Sequence, residues 1–184
     1  MSGGIGLTRG RMSSRDDLRL AANGIVSEPF PYSLYGNATI LTSQKLEGAL
    51  LGLYAGDVIT GVTVGVSVNS ASLTLSRVGL YNTGGTLLAS SSSSATALDA
   101  AAGSRPKIPF SATYTVPTDG VYYAAILQVG TTPATLTRGI NNNTNDRLGD
   151  SSKFFSYVAQ TGQADLPASA TFAQEILALW IAVY

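Results

Sequence analysis

The residues best suited to chemistry in this chain are oxygen and amide donors crowded into one short stretch. Asn141, Asn142, Asn143, Asn145 and Asp146 follow one another closely, with Thr144 among them and Asp150 just beyond. Carboxylates and amides at such spacing can ligate calcium or hydrogen-bond sugar hydroxyls. The stretch lacks the ligand pattern and the closing glutamate of an EF-hand loop. Asparagine also serves tight loops because it tolerates left-handed backbone. The expectation is a surface loop without a metal, in which these residues are the candidate glycan contacts.

The rest of the catalytic vocabulary is thin. Histidine and cysteine are both absent. Their absence removes Ser–His and Cys–His nucleophile activation, disulfides and most zinc sites. A paired-carboxylate glycosidase is the one enzyme class left open. Its candidates are Glu28, Glu47, Asp57, Asp119, Asp146, Asp150 and Glu175. Asp57 and Asp119 stand in turn sequences, where aspartate bonds nearby backbone. Glu28 precedes Pro29, and no two carboxylates share a strand face at i, i+2. The expectation is a non-enzymatic protein with no catalytic residue and no cofactor.

Composition narrows the partners. Lys+Arg and Asp+Glu balance at 11 each, and only 12% of the 184 residues are charged. A neutral chain is poorly suited to steering nucleic acid over a distance. With little charge to hold copies apart, such a surface favours association. A homo-oligomer is expected, with a trimer as one form. No apolar run approaches a membrane span, so no membrane is expected. The opening MSGGIGLTRGRMSS has no apolar stretch after its arginines and does not read as a signal peptide.

The elements that must position these groups are β-strands. In DVITGVTVGVSVN, Val62, Val64, Val66 and Val68 alternate with small or polar residues, the period of a half-buried strand. In SLTLSRVGLYN the apolar parity changes between Leu75 and Val78, which predicts a bulge near Ser76 and Arg77. Asn82, Thr83, Gly84 and Gly85 then turn the chain into TLLAS. Residues 90–107 are Ser- and Ala-rich and read as a loop. IPFSATYTV, a PTDG turn and VYYAAILQV follow, the last apolar on both faces as a central strand should be. KFFSYVA reads as a short strand. EILALWIAVY reads as a core strand rather than a helix, from its Trp, Ile, Val and Tyr.

Residues 1–45 show no sustained period. A short helix over 14–22 is expected, with Ser14 as its cap and Asn23-Gly24 as its end. Pro29 and Pro31 then force an extended path. Arg9, Arg11, Arg15 and Arg19, with Phe30, Tyr32 and Tyr35, are the candidate partner contacts of an attachment arm: arginines pair with acidic groups, and aromatics anchor in grooves. The predicted organisation is therefore an arm over 1–45 and a sandwich domain over 46–184. The fold class is all-β, an antiparallel β-sandwich of jelly-roll-like arrangement, with an immunoglobulin-like sandwich as the alternative.

GLYNTGGTLLASSSSS at 79–94, followed by YTVPTDGVYYAAILQVG at 114–130, resembles a β-sandwich module of tailed-bacteriophage structural proteins. The likeness spans about residues 57–139. It implies a virion component, assembled in the bacterial cytoplasm, whose partners are other virion proteins such as the major capsid or a tail protein. A capsid-surface decoration or head-spike role is expected over a tail fibre, because the chain is short and has no coiled coil. The alternative is a tail-associated or surface adhesin domain contacting a host glycan.

Overall fold

The computed structural model describes residues 20, 22, 24–29, 35–99, 101–139, 157–175 and 179–184. The described fold is all-β and its strand pairings are antiparallel. In chain order the strands are β1 (Tyr35–Ile40), β2 (Lys45–Leu53), β3 (Val58–Val64), β4 (Val66–Val68), β5 (Ala71–Asn82) and β6 (Leu87–Ser90). They continue as β7 (Lys107–Thr115), β8 (Gly120–Thr132), β9 (Thr135–Gly139), β10 (Tyr157–Gln160), β11 (Ala173–Glu175) and β12 (Ile181–Val183).

One layer of the sandwich is a six-stranded sheet in the order β11-β10-β2-β8-β5-β6. The facing layer is built from two three-stranded sheets, β12-β3-β7 and β1-β9-β4. β3 runs into β4 through Gly65, whose carbonyl accepts the Thr137 N–H at 2.8 Å. Between the layers lies the main core. Leu51, Leu53, Val78, Leu80, Ala124 and Ile126 meet Ile59, Val62, Val64, Leu136, Ile181 and Val183 there.

The six-stranded sheet is apolar on both faces. Leu46, Tyr81, Ala125 and Leu127 point away from the main core and pack under Leu166, Ala170 and Phe172. Those three belong to residues 161–172, the connection from β10 to β11, which folds back across the sheet as a strap. A smaller cluster on the far side joins Ile25 and Leu20 to Trp180 and Ala182. These two covering segments explain how a chain of this size buries strands on both sides.

Several expectations hold, and some shift. β8 is central, between β2 and β5, with residues of both parities buried. EILALWIAVY ends in β12, a buried strand paired with β3. The 82–85 turn joins β5 to β6, with the Gly85 N–H donating to the Asn82 carbonyl at 3.0 Å. The bulge of β5 lies between Leu73 and Leu75 rather than near Ser76 and Arg77. Leu75 and Val78 simply face different covered sides, so their change of parity needs no slip between them. Val62, Val64 and Val66 point inward as expected, but Val68 is exposed, because the register against β9 shifts between Val66 and Val68.

Of the expected helix over 14–22, Leu20 and Ala22 are described, and both have helical backbone. Of KFFSYVA, the part from Tyr157 is described and forms β10. Hydrogen bonding runs across residue 45, where the arm was expected to end. β1 pairs with β9, the Val26 N–H donates to the Val183 carbonyl at 2.8 Å, and the Val183 N–H donates to Ser27 at 2.9 Å. Leu41 lies in the main core.

Candidate interaction surfaces

Of the expected arm contacts, Tyr35 lies among the described residues. It opens β1, where its backbone pairs with Gly139. Arg9, Arg11, Arg15, Arg19, Phe30 and Tyr32 lie outside the described residues, as do Asn141, Asn142, Asn143, Asn145 and Asp146. Tyr122 joins the main core and Trp180 the smaller cluster.

The carboxylates whose side chains are described hold structural positions. Asp57 Oδ2 accepts the Tyr54 N–H at 3.0 Å, and Asp119 Oδ1 accepts the Ala55 N–H at 2.7 Å, so two loops at one end of the sandwich are tied together. Asp99 accepts from the Ser70 hydroxyl at 2.8 Å. Buried Glu47 accepts the Thr42 N–H at 3.2 Å and sits 3.8 Å from the Lys45 ammonium. Glu28 Oε2 accepts the indole N–H of Trp180 at 3.1 Å, which fastens the 24–28 segment over β12. Among the described residues, no group of three acidic side chains could hold a metal ion. No helix there is long and apolar enough to cross a membrane.

The strap over the six-stranded sheet is held by a cluster that residue spacing did not reveal. Arg77 reaches outward from β5 and donates to both Asp165 oxygens, at 2.8 and 2.9 Å. Its Nε donates to the Ser91 carbonyl and its Nη2 to the Ser90 hydroxyl, both at 3.0 Å. The fork of a guanidinium suits such simultaneous contacts. Beside it, the Tyr81 hydroxyl donates to the Pro167 carbonyl at 3.1 Å. Burial pushes the Tyr81 phenol strongly upward, against the opposing pull of Arg77, and Asp165 adds to the rise. Arg77 and Asp165 stand 88 positions apart, and only the apolar second face of β8 hinted that something must cover this sheet.

A second unanticipated polar centre lies in the interior. Gln128, almost fully buried, donates to the Ser76 hydroxyl at 3.3 Å and accepts the Ala134 N–H at 2.7 Å. Its main-chain carbonyl accepts the Gln44 N–H at 2.8 Å. These bonds fix the corner between β8 and β9, where a buried amide without partners would cost stability.

The serine run also has a built role. Ser91 is buried; its N–H donates to the Val78 carbonyl at 2.9 Å and its hydroxyl accepts the Val78 N–H at 3.0 Å. The Ser94 N–H donates to the Ser76 carbonyl at 3.1 Å. The run therefore continues the sheet beyond β6 before the chain turns towards β7.

Among the described residues, the large apolar side chains left in solvent are Ile40, Val68, Tyr54, Val58 and Val121. Ile40 and Val68 both pair in register with Thr135, so they flank it on the outer face of the β1-β9-β4 sheet. No family model, curated protein or solved structure matches this chain.

Proposed function

We propose that this chain is a non-enzymatic structural protein of a tailed-bacteriophage particle, a decoration or head-spike component of the capsid surface that works in several copies. The observation that carries the reading is the resemblance of 79–94 and 114–130 to phage structural modules. Those residues form β6, most of β8 and parts of β5 and β7, the centre and one side of the sandwich. The placement of the described carboxylates at structural positions supports a non-enzymatic role. The low charge and the polar, uncharged loops suit a protein that packs against neighbours.

Particle binding tests this reading. Purified chain is mixed with phage particles assembled without it and sedimented through a gradient. Co-sedimentation at a fixed ratio to the major capsid protein is the expected result. Chain that stays at the top of the gradient with every particle type overturns it.

A further inference from the structure

We propose that β1 is a docking edge for β1 of a second copy of this chain, the two strands joining antiparallel across a two-fold axis. The inference rests on the multi-copy part of the function proposed above. It comes from how the other sheet edges are closed. An open strand edge presents unpaired N–H and C=O groups and templates pairing with other chains unless it is covered, shortened or charged.

Three of the other edges among the described strands are covered by main chain. The free side of β4 is occupied by residues 101–104, where the Val66 N–H donates to Ser104 at 3.0 Å and the Gly103 N–H donates to Val66 at 2.8 Å. The free side of β6 is taken by the strap, with the Leu87 N–H on Ala168 and Thr86 bridging Ser169. The free side of β12 is taken by residues 26 and 27. β7 is interrupted by Pro109, next to a register shift against β3, and β11 is three residues long. β1 has the sequence YGNATI, without a charge or a proline; its register against β9 shifts between Tyr35 and Asn37, so the regular edge runs over Asn37, Ala38, Thr39 and Ile40.

Its hydrogen-bonding direction is defined. The Leu41 N–H donates to the Ala134 carbonyl at 3.0 Å, and antiparallel partners alternate between bonded and non-bonded pairs. The main-chain groups of Asn37 and Thr39 therefore face β9, and those of Ala38 and Ile40 face away from it. Ala38 is exposed, and the Ile40 side chain is 68% exposed.

What completes such an edge is another extended backbone. A copy of the same strand always fits by two-fold symmetry, since one surface serves both sides. Charge does not oppose the approach, because the chain carries 11 positive and 11 negative side chains. Pairing also removes Ile40 from water.

Light scattering coupled to size exclusion, over a wide range of concentration, tests the proposal. Wild-type chain is expected to exceed its 19.0 kDa monomer mass and to fall towards it on dilution. Ile40→Lys puts a charge on the edge at a solvent-facing position and should hold the mass at the monomer value. Val58→Lys, at an exposed apolar position on β3, should behave as wild type. Ala38→Pro removes an outward N–H and should act like Ile40→Lys. Emission from Trp180 verifies that each variant is folded. Hydrogen exchange supplies an independent signature: the Ala38 and Ile40 amides gain protection with concentration, whereas the Asn37 and Thr39 amides are protected throughout. A wild-type chain at monomer mass at every concentration overturns the proposal. So does an Ile40→Lys chain that associates like wild type. Particle sedimentation of the same variants separates the two ideas: monomeric Ile40→Lys supports the edge whether or not the chain binds particles.

Discussion

Replacing Gly85 with alanine should destabilise the protein by about 3–5 kcal/mol, while the same change at neighbouring Gly84 should be close to neutral. Gly85 has φ +82°, and a Cβ there would run into the carbonyl oxygen of Ala170 and lie 3.0 Å from its carbonyl carbon. An L-residue in left-handed backbone costs about 1–2 kcal/mol. Pushing the strap away also weakens two bonds, Ala170 N–H to Gly85 at 2.8 Å and Leu87 N–H to Ala168 at 3.0 Å. Each contributes about 1 kcal/mol net. Lifting Leu166 and Phe172 from the outer apolar face adds up to about 1 kcal/mol more. For a chain of this size the sum lowers Tm by roughly 10 °C. At Gly84 an added Cβ meets only Asn82 Oδ1 at 3.4 Å, and the backbone is not left-handed. Urea unfolding followed by the emission of the sole tryptophan, Trp180, measures both variants. Gly85→Asn separates the causes, because asparagine tolerates left-handed backbone but still carries a Cβ. It should lose nearly as much as alanine. If Gly85→Ala lies within about 1 kcal/mol of Gly84→Ala, the strap does not seat on this turn and the reasoning fails.

Two further outcomes follow from the same region. Ser91→Ala should cost about 1–2 kcal/mol in urea unfolding, because it leaves the buried Val78 N–H without an acceptor, whereas Ser93→Ala on the exposed part of the run should change nothing measurable. At alkaline pH the raised Tyr81 phenol sets the sign: its folded value lies above the unfolded 10.0, so its contribution is complete below pH 10 and is lost as pH climbs beyond it. Desolvation raises Tyr114 and Tyr184 in the same direction. Tyr81→Phe should therefore lose about 1 kcal/mol at neutral pH with the bond to Pro167, and should show a shallower fall of stability above pH 10 in a Tm-against-pH series.

The fold was legible in the sequence wherever an apolar pattern had a single cause. β8 and β12 read correctly because residues apolar on both faces admit only a doubly covered strand. β5 misled because its change of parity had two explanations, a slip or a second buried face, and local pattern cannot separate them. The second face was real, and QTGQADLPASATF, a polar loop by composition, is what covers it. β2 was hidden in KLEGALLGL, whose Leu, Ala and Gly carry little strand preference; its partner β8 supplies the order. The strap cluster was hidden because a pair 88 residues apart leaves no local spacing to read. Glu28 read as a residue before a proline and is instead the partner of a buried indole.

The scarcity of charge and the closure of the sheet edges are two parts of one arrangement. Many β-proteins keep their edges from pairing by placing lysine or glutamate along them. With 12% charged residues, this chain relies mostly on main chain instead. Residues 26–27, 101–104 and 168–170 each lie along a strand and take up its free N–H and C=O groups. Ser, Ala and Gly suit that work, because a small side chain lets one backbone run close against another. The Ser- and Ala-rich loops are thus edge closures as much as connections. Among the described strands, β1 has an uncharged edge with the Ala38 and Ile40 amides facing outward, and that is where the proposed pairing of two copies would extend the sheet.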